Sequence, residues 1–252
     1  NFTIQEVDLK PKADELLIKV AICGLCNWEL NFWKSNGGMY SEYPALLGHE
    51  WSGVVVECGS EVKTLRINDK VSILPDRLCG FAEYAPVRES FCFKLADHID
   101  VYKGFSEPLK CVVTTIRSAQ VEVGDYGVII GCGPMGLWCI QALAGKTLAG
   151  LIAIDVDDMK LEKAKKFGAT QVINTAREDA EKIICELTGG HMADFVIEGT
   201  GLPQLVPTIS KLIRTCRARV VLMSYYEQNL KEFDFRPFAD KGAIVTNPQP
   251  AF

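Results

Sequence analysis

The chain has 252 residues, 48% of them hydrophobic and 23% charged, and a formal net charge of −5. That length can bury two modest domains, and the acidic balance argues against a nucleic-acid or anionic-membrane surface, leaving a small molecule as the expected partner. No signal-like segment precedes the first predicted strand, so the ten cysteines read as reduced cytosolic thiols, some of them metal ligands, and not as a disulfide framework. The chain starts at Asn1 without a methionine, which hints at a missing start.

Glu15 to Cys23 is a β-rich run that opens directly into Gly24-Leu25-Cys26-Asn27-Trp28-Glu29-Leu30. Tyr43-Pro44-Ala45-Leu46-Leu47 leads to Gly48-His49-Glu50, and Trp51 to Gly59 follows as the next strand. Asn68 to Val71 begins a third and Phe81 to Val87 forms a fourth, so the first half reads as all-β with Gly, Pro and Asp turns. Cys26, His49, Glu50 and the later Glu107 offer one thiolate, one imidazole and two carboxylates, a set that zinc accepts in catalytic sites with one position left open. A lone cysteine at a strand end packs in a core more often than it binds a metal. What raises this set above chance is that the chain has three histidines, and His49 lies between two predicted strands ahead of a nucleotide-binding pattern. His98 and His191 sit in polar loops and carry no expected chemistry.

The second half is organised around Tyr126 to Asp155. Val128-Ile129-Ile130 is an apolar strand, followed at once by Gly131-Cys132-Gly133-Pro134-Met135-Gly136. In that pattern the first glycine makes a tight turn, the second admits a pyrophosphate to the backbone, and the third lets the helix pack on the strand. The phosphate then meets the free N–H groups of a helix N-terminus. Leu151 to Ile154 is the next strand and Asp155 ends it about 20 residues beyond the turn, where an acid accepts hydrogen bonds from an adenosine ribose. A membrane span is rejected, because Pro134 and the glycines interrupt any helix of the ~20 residues that crossing needs. Beyond Asp155, helices at Lys160–Phe167 and Glu178–Thr188 alternate with strands at Gln171–Asn174, Asp194–Glu198, Arg219–Met223 and Ala243–Thr246. The whole predicts a doubly wound sheet of about six strands.

Cys23-Gly24-Leu25-Cys26, Gly48-His49-Glu50, Asp69-Lys70-Val71, Phe81-Ala82-Glu83-Tyr84, Glu107-Pro108-Leu109 and the glycine turn together resemble the zinc-dependent medium-chain dehydrogenase/reductase family, in particular its polyol (sorbitol-like) dehydrogenases. The resemblance covers nearly the whole chain in the right order. It implies an α/β protein with a GroES-like β-rich catalytic domain over residues 1–115 and a Rossmann NAD-binding domain over 116–252. It further implies zinc held by Cys26, His49 and Glu50, with Glu107 a ligand or one water away, and the nicotinamide half of NAD at Gly199-Thr200-Gly201. Cys111 stands where alcohol dehydrogenases of the family have a cysteine ligand and competes with Glu107, which is favoured. The expected cofactor residues are Gly131, Gly133, Pro134, Met135, Gly136, Asp155, Lys160 and Thr200. The expected activity is reversible hydride transfer between a secondary alcohol of a polyol, sugar or amino-sugar-like substrate and NAD, in a cytoplasmic homo-oligomer, dimer or tetramer. A zinc-free reductase of the same fold and a catalytically silent nucleotide-binding sensor are the rival readings.

This chain departs from the family pattern in ways that bear on mechanism. Trp28 replaces the hydroxyl residue of the usual proton relay and is expected to line the substrate pocket, and Asn31 replaces the histidine that often ends the relay. Glu50 or Glu107, through water, is the expected substitute. Glu29 stands for the family's Asp and is expected to hold the ring N–H of His49. Asp155 is followed by Val156, Asp157 and Asp158 with no arginine for a 2′-phosphate, while Lys160 reaches the ribose hydroxyls, so NAD is expected over NADP. The family's structural-zinc lobe should fall between Val71 and Phe81, but Ser72 to Gly80 has the single Cys79, so one zinc is expected. Pro248-Gln249-Pro250 reads as a linker leading onward to a segment that completes the catalytic domain, and an apolar patch is expected on the first half.

Overall fold

In the computed structural model, which describes residues 3–34, 46–74, 78–226 and 232–248, the first half forms an antiparallel sheet of five strands: β1 (Glu15–Cys23), β2 (Trp51–Cys58), β3 (Lys70–Ile73), β4 (Tyr84–Arg88) and β5 (Cys92–Lys94). They lie in the order β4-β1-β2-β3-β5. Inward-facing Leu16, Ile18, Val55, Val71, Ile73, Ala85 and Val87 pack with Trp51 into its core. Each fully buried Leu or Ile side chain stabilises by about 1.5–3 kcal/mol. The pairing of β1 with β2 runs to Cys23 opposite Trp51. The exit of the first strand and the approach to the second are therefore side by side.

The expectation of an all-β first half is corrected by two helices, α1 (Asn27–Lys34) and α2 (Glu107–Ser118). In α1 the apolar residues Trp28, Leu30 and Phe32 alternate as in a strand, yet a carboxylate decides the local structure. The Glu29 Oε2 atom accepts the backbone N–H of Cys26 at 3.1 Å, the return contact of a capping box, and Leu30 N–H donates to Cys26 C=O. In α2 the donor missing at Pro108 lies in the first turn, where helix N–H groups have no intrahelical partner.

The second half is a parallel sheet of six strands in the order β11-β10-β9-β6-β7-β8. Its elements in sequence are β6 (Tyr126–Ile130), α3 (Pro134–Leu143), β7 (Gly150–Asp155), α4 (Asp158–Lys166), β8 (Gln171–Asn174), α5 (Ala180–Leu187), β9 (Phe195–Glu198), α6 (Val206–Leu212), β10 (Arg219–Leu222), α7 (Arg236–Asp240) and β11 (Ile244–Thr246). Alternate residues of each strand face opposite sides. Ile129, Ala153, Ile197 and Val221 pack with Cys139, Ile140 and Leu161, while Val128, Ile152, Val196 and Val220 pack with Ile184, Ile209 and Phe238. Strand order reverses between β6 and β9, and ligands of such sheets bind at that switch point, beyond the carboxyl ends of the strands.

Two compact units divide the chain, one up to Lys110 and one from Cys111 onward. No helix among the described residues is long and apolar enough to cross a membrane. Tyr43 to Ala45, residues 75–77 of the stretch where a zinc lobe was expected, and the Gln249-Pro250 end of the expected linker lie outside the described residues. In the first unit Leu25, Trp33 and Phe81 are apolar and exposed, and with Glu29 and Leu30 they line one shallow hollow.

Candidate functional site

Cys26 caps α1 immediately after β1, and His49 and Glu50 immediately precede β2, so the register of the two strands brings these three residues together. Glu107 arrives from the first turn of α2. That turn is fastened to β3, where the Ser72 hydroxyl accepts the Ser106 N–H at 2.8 Å and shares a hydrogen bond of 2.7 Å with the Ser106 hydroxyl. The potential ligand atoms of His49, Glu50 and Glu107 lie within 4.8 Å of one another, as do those of Cys26, Glu29 and His49. A tetrahedral zinc with bonds of ~2.1 Å holds its ligand atoms about 3.4 Å apart, a contraction that side-chain rotation can supply. Cys111, a turn further along α2, belongs to neither group.

Glu29 is committed to both neighbours: one oxygen takes the Cys26 N–H, and Oε1 lies 2.5 Å from His49 Nδ1. That contact holds Nδ1 as the donor to Glu29 and sets Nε2, 3.8 Å from Glu50 Oε1, as the ring atom that would take a metal in place of a proton. The site is buried, with Glu29, Glu107 and His49 exposed by 2%, 3% and 7%. Burial raises the Glu50 carboxyl above its ordinary value, with Glu107 and Glu29 adding repulsion against the opposing pull of His49 and Cys26. Burial works to lower the His49 imidazole, but its hydrogen bonds to Cys26 and Glu29 push it up to about 10. Three carboxylates and a thiol around one imidazole leave negative charge that a dry site does not tolerate unpaired, and the donor set fits a divalent cation. Cys23 is different: burial pushes its thiol up to about 12 and it packs as a small apolar residue. His98 and His191 are exposed.

Trp28 meets the His49 ring edge-on, with centroids 5.8 Å apart, and stacks on Phe32 at 5.4 Å. It is half-buried, with its ring beside that of His49. Nothing at that position can pass a proton.

In the second unit Gly131 has φ of +92°, and a Cβ on Gly136 would lie 1.9 Å from the Gly131 carbonyl oxygen. A Cβ on Gly133 would meet nothing within 4 Å, so its backbone faces open space where a pyrophosphate can approach. Pro134 opens α3 without a donor, and Met135 and Gly136 bring first-turn N–H groups to the same mouth. These observations fit a dinucleotide. Asp155 is more heavily used than the sequence suggests: Oδ2 accepts the Cys132 N–H at 2.8 Å, and Oδ1 accepts those of Val156 and Asp157 at 2.8 and 3.1 Å. The acid thus staples the glycine turn to the end of β7, with Lys160 Nζ 3.9 Å away. Thr200 lies with its methyl against Gly131, while its N–H and hydroxyl both donate to Glu198. Sequence reasoning missed Glu198 and its partner Tyr226, and it missed Arg177, whose guanidinium donates to both oxygens of Asp158 at 2.7 and 2.9 Å.

Residues 12–97 match the family model described as the alcohol dehydrogenase GroES-like domain, and residues 134–247 that of the zinc-binding dehydrogenases. The erythritol/L-threitol dehydrogenase of Mycolicibacterium smegmatis is 32% identical over 256 residues, covering 85% of this chain and 71% of that protein. D-xylulose reductase A of Aspergillus oryzae is 31% identical over 236 residues, covering 80% of this chain and 66% of its own. Among solved structures, galactitol-1-phosphate dehydrogenase from Escherichia coli superposes with a TM-score of 0.83 at 28% identity, over 99% of this chain and 79% of that one.

Proposed function

This chain belongs to the zinc-dependent medium-chain dehydrogenase/reductase family, and from that premise we propose that it transfers hydride between NAD and a secondary alcohol of a polyol or sugar-like substrate. The observation that carries the reading is the meeting at His49 of two groups, one with Cys26 and Glu29 and one with Glu50 and Glu107, in a largely buried and anionic setting. When bound, zinc supplies Lewis acidity at the substrate oxygen and the nicotinamide supplies or accepts the hydride. Cys26, His49 and Glu50 would hold the metal, with Glu107 a fourth ligand or one water away and Glu29 orienting His49. The indole of Trp28 supplies an apolar wall against His49 and excludes water there. Glu50 and Glu107 are then the titratable groups at the site able to pass the alcohol proton to solvent, because Trp28 and Asn31 cannot.

NAD over NADP is part of the same reading. Asp155 retains one lone pair, on Oδ2, for a ribose hydroxyl and carries a charge that repels a 2′-phosphate, and Arg177 is already held by Asp158. The polyol part of the reading is supported by relatives that act on erythritol, L-threitol and D-xylulose. The test is a panel of four- to six-carbon polyols, sugars and amino-sugar alcohols, followed by NADH absorbance with zinc present. Turnover confined to vicinal polyols supports the reading, and no turnover with any of them, by a protein that binds NAD, would favour a silent nucleotide binder.

A further inference from the structure

Glu198 is the last residue of β9 and is completely buried, yet neither zinc binding nor the glycine turn uses it. A carboxylate without water needs donors, since leaving it unpaired costs several kcal/mol at about the level of any buried charge. Its donors come from two different loops. After β9, Thr200 gives both its N–H, at 2.8 Å to Oε1, and its hydroxyl; after β10, Tyr226 gives its phenol to Oε2. Burial and the neighbouring carboxylate hold the Tyr226 phenol well above its ordinary value, so it stays a donor.

The place of this knot in the sheet matters. Glu198 pairs with Ile130 of β6 on one side and Leu222 of β10 on the other, and Gly199 N–H donates to Ile130 C=O at 2.8 Å. The knot therefore stands on the far side of the switch point from Asp155. In a doubly wound sheet built of two mononucleotide-binding halves, β6, β7 and β8 receive one nucleotide and β9, β10 and β11 the other. The Thr200 methyl that the knot fixes is also the group against which Gly131 turns: a Cβ there would come within 2.8 Å of it. The Thr200 hydroxyl, donating to Glu198 and accepting from Leu202 N–H at 3.1 Å, is spent inside the loop and is not offered to a ligand.

We propose that Glu198 is a positioning residue for the second nucleotide half of the cofactor: by tying Thr200 to Tyr226 it fixes residues 199–202 after β9 and residues 223–226 after β10 in the shape that receives the nicotinamide riboside. The proposal rests on the nicotinamide-dinucleotide reading above, and the probes are chosen to separate the two. NAD engages both halves, whereas 5′-AMP engages the first half alone. Tyr226→Phe removes one hydroxyl with little change in volume, and Glu198→Gln keeps an acceptor for Thr200 while removing the charge.

In titrations of the purified protein, the Kd for NAD rises about tenfold in Tyr226→Phe, equivalent to about 1.4 kcal/mol. It rises less in Glu198→Gln than in Glu198→Leu, which has no acceptor. The Kd for 5′-AMP stays within twofold of wild type in Tyr226→Phe and Glu198→Gln. Wild-type-like NAD binding in Tyr226→Phe and Glu198→Leu would overturn the proposal, and so would parallel weakening of NAD and 5′-AMP, which is general damage to the sheet. A wild-type protein that binds 5′-AMP but not NAD would remove the dinucleotide reading and the proposal together.

Discussion

Glu29 Oε1 lies 2.5 Å from His49 Nδ1, and the other oxygen of the same carboxylate takes the Cys26 N–H at 3.1 Å. One side chain thus orients two proposed zinc ligands at once. Partners of this kind are worth 10–100-fold in metal affinity, so Glu29→Ala should weaken zinc binding by about that factor, read by competition with a chromophoric chelator. Glu29→Gln, which can accept from either group but carries no charge, should fall between. Zinc affinity equal to wild type in Glu29→Ala would show that the ring is held by something else.

Cys26→Ser and His49→Ala should each abolish polyol turnover while leaving the Kd for NAD within about twofold. The proposed metal ligands lie before Lys110 and the glycine turn after Cys111. Parallel loss of NAD binding would mean that the substitutions unfold the chain instead of emptying a metal site.

Much of this was legible before the structure. The strands Glu15–Cys23 and Gln171–Asn174 coincide with the predicted spans, because alternating or continuous β-branched runs bounded by turn residues have one reading. The short helices α1, α6 and α7 were not legible. In α1 the alternating aromatics imitate a strand and the deciding contact is the Glu29 return to Cys26; α6 and α7 have no side-chain cap. At the site, Cys26, His49 and Glu50 could be paired from motif order, and Glu29 from its offset to Cys26. Glu198 with Tyr226, and Asp158 with Arg177, could not, since each pair joins segments at the ends of strands that are neighbours in the sheet and distant in sequence.

Arg177 changes the basis for the cofactor preference. It stands beside the acidic loop after β7 but is neutralised by Asp158. Wild type should prefer NAD over NADP by at least tenfold in kcat/KM, and Asp158→Ala, by freeing the guanidinium, should raise the NADP:NAD ratio several-fold. The ratio is the proper readout at Asp155, since Asp155→Ser also releases the Cys132 N–H and should weaken both cofactors. An unchanged ratio in Asp158→Ala would place the 2′-position elsewhere.

Trp28→Ser should alter the substrate profile, admitting bulkier alcohols beside His49, and should put a hydroxyl at the edge of that ring. Comparing kcat/KM across the polyol panel checks it. A profile scaled uniformly, with no change in rank, would mean that the indole serves only to pack on Phe32.

Glu89 provides a pH test of the first unit. Burial opposes its charge, but the N–H groups of Lys63, Leu65 and Thr64 and the Thr64 hydroxyl hold the carboxyl down at about 2, against 4.5 in its ordinary state. A depressed folded value stabilises above the unfolded one and is lost as pH falls through the folded one. Glu89→Gln should therefore cost about 2 kcal/mol near neutral pH, and its deficit in melting temperature should shrink from pH 4.5 toward pH 2. A deficit independent of pH would assign the loss to packing.

Polyol turnover, as proposed above, depends on a single metal centre at Cys26, His49, Glu50 and Glu107. Zinc content of the purified protein by elemental analysis, measured with polyol turnover on the same sample, tests this dependence most directly. One zinc per chain should be found, with activity lost in proportion as zinc is chelated and regained on reloading. Two tightly held zincs, or none after reloading, or full turnover by a protein stripped of metal, would refute the claim.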